Sequence, residues 1–248
     1  MRSLGHFGIM QKYTVRWLAR DEKSLIIGEL IFAVTLPIGS SNSYAATDKD
    51  CLALWKPPII KVKIMTAVPT INHQISSGQI EKVAKKSGYA KPSEHVRLLG
   101  LTNATIGPEL GASTKYREVR KGVYCLRLDG VDLNFGARKT VIYIDRKCRE
   151  SSCAYKVILA HEREHVRINE QITASYLPKV KAELAERAAA IKPFFTRKPD
   201  RIGHSLVNRL LFEMAPLLEK FSLAREKANE VIDTNDAYAA TQRKCSDW

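Results

Sequence analysis

Along the first half of the chain apolar positions alternate with polar ones or gather in short β-branched runs; along the second half they recur every three or four residues. Residues 59–65 and 95–101 read as strands, because aliphatic and β-branched residues on a two-residue period fit a pleated, half-buried surface. Residues 123–128, the pair Asp129-Gly130 and residues 131–135 read as a hairpin turning on Asp-Gly, and 140–145 as a further strand. A short helix is expected over 76–86, with Pro92 closing the region after it, and the Gly107-Pro108 step makes 106–111 a loop.

From Ala154 onward the period becomes that of a helix and stays so. The first helix is expected to reach about Tyr176, where Pro178 kinks it or starts another. Residues 179–191, rich in Ala, Glu and Lys, continue as helix, and 192–203 with Pro193 and Pro199 form a linker. In the last region Leu206, Leu210, Met214, Leu217, Phe221 and Ala228 step mostly by three or four, a stripe that belongs in the core, with Pro216 bending it. The fold class expected is α+β: a mostly antiparallel sheet of four or more strands in residues 46–150, with the helices of 151–248 packed on one side of it. There is no internal repeat or low-complexity tract.

Charge and the N-terminal pattern add a location. The chain of 248 residues carries 40 Lys and Arg against 26 Asp and Glu, a formal charge of +14. Arg2, Lys12, Arg16, Arg20 and Lys23 precede an apolar run at 25–39, and a small-residue stretch ends in Tyr44-Ala45-Ala46. A basic lead, an apolar run and a small-x-small site describe a signal peptide, residues 1–45, cleaved after Ala45. A start at Met10 would shorten its lead. The run, interrupted by Glu29 and Pro37, falls short of the ~20 residues that a membrane span needs. The mature domain, 46–248, is then a secreted or periplasmic monomer with a charge of +12. Such an excess suits an anionic envelope surface. Nucleic acid is not expected as a partner, since no recognition module is visible. Asp48-Lys49-Asp50 before Cys51 does not suit lipid modification.

Export makes pairing available to the thiols of Cys51, Cys125, Cys148, Cys153 and Cys245, an odd count. Cys125 with Cys153 would join a strand to the turn before the first long helix; Cys148 with Cys153 is a local alternative, and Cys51 with Cys245 would tie the mature termini. Spacing leaves these open. Without a C-x-x-C pair, a cysteine-zinc site is not expected.

The chemistry concentrates in His161-Glu162-Arg163-Glu164-His165, an H-E-x-x-H sequence inside the predicted helix. Four residues advance a helix by roughly 400°, so the two imidazoles point the same way from successive turns and can share one ion. With Val157, Ile158, Ile168 and Ile172 they fall in line with the apolar stripe that faces the interior. Two neutral imidazoles on Zn2+, and a carboxylate beside them to take a proton from the attacking water, are what zinc-assisted peptide hydrolysis requires.

In His161, Glu162 and His165 the chain resembles the zincin metallopeptidases, and as a basic exported chain with this motif after a strand and a Cys-containing turn it looks like bacterial secreted zinc proteases. The likeness covers only the motif helix and its flanks. It implies a hydrolase of peptide or protein substrates, with His161 and His165 as zinc ligands and Glu162 as general base. Zincins usually carry uncharged residues where this chain has Arg163 and Glu164.

Catalytic zinc keeps three protein ligands, so a third must come from elsewhere. No Gly and third His follow as in metzincins. Glu170 is rotated roughly 140° from His165 and 180° from His161. Glu183 and Glu186 stand at spacings like that of the downstream glutamate of thermolysin-like enzymes, but an unbroken helix would carry Glu186 roughly 30 Å away. A last helix returning antiparallel across the motif would instead bring in an acid from the group Glu226, Glu230, Asp233 and Asp236. Asp233 is the first choice, ahead of Asp236 and Glu230, with His204 a further candidate. Tyr143, Tyr155 or Tyr238 could stabilise developing negative charge, and the strand at 140–145 could be the edge to which an extended substrate adds. Two other readings stay open: a non-catalytic envelope protein of the same fold that holds an anionic partner on its basic surface, and a structural envelope protein without metal.

Overall fold

Two strands of more than twenty residues, joined by a turn at Lys121-Gly122, form the middle of the fold. The computed structural model describes residues 48–88 and 98–246, all within one unit, Ala45–Trp248. In chain order the elements are α1 (Asp48–Leu52), β1 (Ile59–Met65), β2 (Thr70–Asn72), α2 (Ser77–Lys86), β3 (Gly100–Arg120), β4 (Val123–Ile144), α3 (Cys153–Ala190), β5 (Phe194–Thr196), a 3-10 turn (Pro199–Arg201), α4 (Ile202–Glu230) and α5 (Asn235–Gln242). The signal peptide expected at 1–45, the start of the strand expected at 95–101 and Pro92 lie outside the described residues.

β3 and β4 pair antiparallel, with Gly100 opposite Ile144 at one end and Arg120 opposite Val123 at the other. Gly122 turns the chain at φ 71°, a conformation that costs a residue without Cβ nothing, and its N–H donates to Glu118 Oε1 at 2.8 Å. A strand has two edges, and β3 fills one of β4. The other edge is shared end to end by β5 at 124–126, β1 at 130–136 and β2 at 141–143. This corrects the mostly antiparallel sheet expected from the sequence. The sheet has five strands, both pairings on its β1-β4-β2 path are parallel, and only β3 and β5 run antiparallel to β4. Tight turns favour antiparallel neighbours, but no turn joins β1 or β2 to β4; α2 and β3 intervene, and that leaves their direction free.

The expected hairpin at Asp129-Gly130 is also corrected. β4 runs straight through it, with Gly130 opposite Ser113 and Leu128 opposite Thr114, so Asp129 is the extra residue of a β-bulge. Pairing on both edges of β4 outweighs the local turn preference. Residues 106–111, expected as a loop, are part of β3. β3 has no second strand neighbour among the described residues, and an edge strand tolerates Pro108 because an outward N–H needs no partner.

The helices pack where apolar faces meet the sheet. Leu126, Leu128, Val131, Leu133 and Phe135 of β4 bury against Val180, Leu184 and Ala188 of α3 and Leu206, Leu210, Met214 and Phe221 of α4. Ile142 and Ile144 continue this face under Tyr155 and Ile158 at the start of α3. α2 packs separately, through Ile80 and Ala84, on Leu98 with Leu101 and Tyr143. α3 begins where Ser152 Oγ accepts from Tyr155 N at 3.1 Å, and passes unbroken through the exposed Pro178. Burying Val180, Leu184 and Ala188 beyond it offsets the ~3 kcal/mol that an interior proline costs.

The disulfides are Cys51–Cys125 and Cys153–Cys245, and Cys148 lies outside both. The Cys125–Cys153 pairing is therefore corrected. Cys125 stands near the start of β4 and Cys153 follows its end, so some 20 residues of extended chain, at ~3.3 Å each, separate two atoms that a bridge needs within ~7 Å. Two disulfides suit an oxidising compartment. No described helix is long and apolar enough to cross a membrane.

Candidate metal centre

His161 and His165 leave α3 one turn apart and converge, with their Nε2 atoms 3.2 Å from each other. Asp233 Oδ1 lies 3.2 Å from both. The side chains keep only 15%, 12% and 14% of their exposure, so the three donors face one another from within a largely closed site. The three could hold a metal ion. Ligand atoms ~2.0–2.1 Å from a tetrahedral ion lie ~3.3–3.4 Å apart, close to the triangle these donors already form.

Asp233 reaches the site because α4 runs antiparallel to α3. Tyr176 donates to Lys220 O at 3.2 Å, Arg225 to Asn169 at 3.0 Å, and His165 to Asn229 at 2.7 Å, so numbers rise along one helix as they fall along the other. After Glu230 the chain turns, with Ile232 N bonded to Asn229 O and Asp233 N to Glu230 O, both at 3.2 Å. Thr234 then caps α5 by accepting from Ala237 N at 3.2 Å. Asp233 is thus fixed between the end of one helix and the cap of the next.

Supporting contacts set the orientation of the donors. Asn229 Nδ2 donates to Arg225 O at 2.7 Å and to Asn169 Oδ1 at 3.2 Å, which turns its Oδ1 to accept from His165 Nδ1. With the proton on Nδ1, the lone pair of His165 Nε2 is left for an ion. Tyr238 OH donates to Asp233 Oδ1 at 3.0 Å, and its ring lies 5.6 Å from that of His161. Burial opposes charge on His165, but the Asp233 hydrogen bond, with help from Glu162 and Asn229, pushes its pKa up to about 9 when no ion is bound. Burial would also raise the Asp233 carboxyl; hydrogen bonds from His161 and His165, the charge of His165 and Tyr238 outweigh it and hold Asp233 well below the usual range.

Glu162 lies in the contact between α3 and the start of β3 and is 5% exposed. Thr102 Oγ1 lies 2.9 Å from Glu162 Oε2 and 2.8 Å from its backbone oxygen. Gly100 faces the same carboxylate so closely that a Cβ there would stand 2.5 Å from Oε1. Burial raises the Glu162 pKa against the opposing charges of His165 and His161 and the Thr102 hydrogen bond, with Asp233 adding to the rise. A buried carboxylate with raised proton affinity beside a metal-ligand triangle has the properties of a general base.

The remaining sequence candidates stand apart. Arg163 is exposed, and Glu164 pairs with Arg167 on the solvated side of α3, so the two charges inside the motif do not enter the site. Glu170, Glu186, Glu226, Glu230 and Asp236 are exposed. Glu183 pairs with Arg187 at 2.7 Å, and His204 contacts Asn208 at 3.1 Å. Tyr143 packs with α2, and Tyr155 with Ile142, Ile144 and the ring of His73. Residues 140–144 belong to β4, which has neighbours on both edges, so the edge strand beside the site is β3 instead.

Sequence reading missed Gly100, Thr102, Asn169, Arg225 and Asn229. Part of this was marked by spacing: His161, His165, Asn169 and Thr173 form a polar ladder in steps of four, and Arg225, Asn229 and Asp233 form its counterpart. No protein-family model matches this chain, and comparison with curated proteins and with solved structures likewise finds no match.

Proposed function

We propose that this chain is an exported zinc-dependent peptidase of zincin type, in which His161, His165 and Asp233 hold the ion and Glu162 is the general base. The observation that carries the reading is the closed triangle of two imidazole nitrogens and one carboxylate oxygen, 3.2 Å on each side, with the buried Glu162 next in sequence to one of its donors. Imidazole and carboxylate donors at tetrahedral separation suit zinc. When bound, zinc would polarise the scissile carbonyl and acidify water at the site.

The chain's own residues supply the rest. Asn229 and Tyr238 orient two of the ligands. Thr102 holds one oxygen of Glu162, whose raised proton affinity lets it take a proton from water and later deliver it to the leaving amine. β3 touches Glu162 through Gly100 and Thr102 while its outer edge carries no described strand, so an extended peptide can add there with its main chain running past the base. Residues 1–45 serve as the export signal in this reading, and the product of cleavage is a monomer.

Metal analysis of the purified mature chain tests it. One equivalent of zinc is expected, lost in His161→Ala and kept in Glu162→Gln, with peptide hydrolysis lost in both. Retention of zinc by His161→Ala would reject the ligand set, and stoichiometric iron instead of zinc would redirect the chemistry.

One observation favours the alternative of a binding protein for an anionic partner. No acidic residue occurs from Cys51 to Ile80, whereas Lys56, Lys61 and Lys63 do, among Ile59, Ile64 and Val68 exposed at 64%, 46% and 88%. Lysines interleaved with exposed apolar groups suit an anionic lipid surface. Sedimentation with anionic vesicles, weakened by Lys61→Glu with Lys63→Glu, would support it; a zinc-loaded chain that hydrolyses no member of a broad peptide library would make it the primary reading.

A further inference from the structure

The segment that carries Asp233 is tied by a covalent bond to the helix that carries the two histidines. Residues 231–245, which include α5, supply no member of the three apolar clusters that organise the described residues. Their contacts with the rest of the protein include those of Asp233 with His161 and His165, that of Tyr238 with the ring of His161, and the Cys153–Cys245 disulfide. Cys153 opens α3, two turns before His161, so this bridge clips the far end of the Asp233 segment to the helix that bears the other two ligands. At its near end the segment continues from α4.

The two disulfides differ in access. Cys51 and Cys125 are 2% and 0% exposed, sealed beneath the surface, whereas Cys153 is exposed and Cys245 half-buried. A thiolate can reach the second bridge without unfolding the protein, and cannot reach the first.

Resting on the metal centre described under the proposed function, we propose that Cys153 and Cys245 are positioning residues for the third ligand, so that the metal site is complete only when they are oxidised. Closing the bridge joins two sulfurs and releases two electrons and two protons, which pass to the disulfide of an exchange partner and leave that partner as a dithiol. Before that step the Asp233 segment is joined covalently only through α4, and the residence of its carboxylate at the two histidines rests on non-covalent contacts alone. After it, both ends are fixed to elements that also fix the histidines, and the entropy of ordering the third ligand has been met in advance. A chain made in a reducing compartment would thus hold its ion weakly until export, which keeps hydrolysis away from the place of synthesis.

The test compares zinc affinity, by competition with a chromophoric chelator, in oxidised full-length mature protein and its variants. Replacing both Cys153 and Cys245 by Ser, which leaves no stray thiol to bind metal, is expected to weaken zinc binding ~10–100-fold, the range seen when support around a ligand is lost. Cys51→Ser with Cys125→Ser is expected to lower the unfolding temperature but leave the zinc affinity of the folded protein within twofold. Asp233→Ala supplies the readout that a merely structural role would not move: in that background, losing the Cys153–Cys245 bridge should cost no further affinity. Equal affinity in wild type and the Cys153/Cys245 variant, or losses that simply multiply with Asp233→Ala, would overturn the inference alone. Absence of zinc from the oxidised wild type would overturn the metal-centre reading and this inference with it.

Discussion

Asn229 accepts a 2.7 Å hydrogen bond from Nδ1 of His165 and so decides which nitrogen of that ring is left for an ion. The decision is made by the amide's other end, since Asn229 Nδ2 is occupied by Arg225 O and Asn169 Oδ1. Asn229→Ala should therefore weaken zinc binding ~10–100-fold while moving the unfolding temperature of the ion-free protein only slightly. Nitrogen NMR of His165 in the ion-free protein above pH about 9, where the ring is neutral, checks the cause: the wild-type ring should show one tautomer and the variant a mixture, and an unchanged tautomer would refute the role.

Glu162 and Thr102 separate chemistry from metal binding. Glu162→Gln keeps the shape and the Thr102 contact but cannot take a proton, so kcat should fall by a factor of ~10²–10⁴ with zinc content unchanged. Thr102→Val removes the hydrogen bond that holds the Glu162 pKa down, and the acid limb of the kcat/KM profile should move to higher pH. A shift to lower pH would contradict the assignment of Glu162 as base.

Gly100 is a steric test of the same group. A methyl group there would meet Glu162 Oε1 at 2.5 Å and Ile158 Cγ2 at 2.6 Å. Gly100→Ala should cost ~1–3 kcal/mol of stability as the two side chains are displaced. Hydrolysis should fall at least ~10-fold, the range of a misplaced catalytic group, with zinc retained. Thermal melting and steady-state kinetics on one preparation measure both.

Protons and metal compete at His165. Its pKa of about 9 without an ion lies above the ~6.5 of an unfolded chain. The stability it contributes to the ion-free protein is fully present below pH ~6.5 and lost as pH rises through about 9. Zinc must displace that proton, so affinity should climb up to ~10-fold per pH unit across this window, with close to one proton released on binding at neutral pH. Calorimetry in buffers of differing ionisation enthalpy counts the proton, and a pH-independent affinity between 6.5 and 9 would contradict the site electrostatics.

The site was more legible than the sheet. A spacing of four on an apolar stripe marks His161 and His165 as neighbours on one helix face, and the antiparallel return of a second helix points to Asp233; both follow from helix geometry, which is local. Sheet direction is not local. Nothing within β1 or β2 encodes that they lie parallel to β4, because their partners are some 70 residues away along the chain. Asp129-Gly130 carries the residues of a turn and forms a bulge, since the strands on either side of β4 outweigh it. Cys125 and Cys153 were separable only once β4 was known to be one strand and not two. Asn229 and Asn169 escaped notice because a single Asn on a helix has no signature until the helix facing it is known.

Diffraction from crystals of the oxidised mature chain, measured on both sides of the zinc absorption edge, reads the ion and its ligands together. One anomalous peak is expected, present only above the edge, ~2.0–2.2 Å from Nε2 of His161, Nε2 of His165 and a carboxylate oxygen of Asp233. No peak there from protein crystallised with zinc, or a peak bound by other residues, would contradict the proposed ligand set.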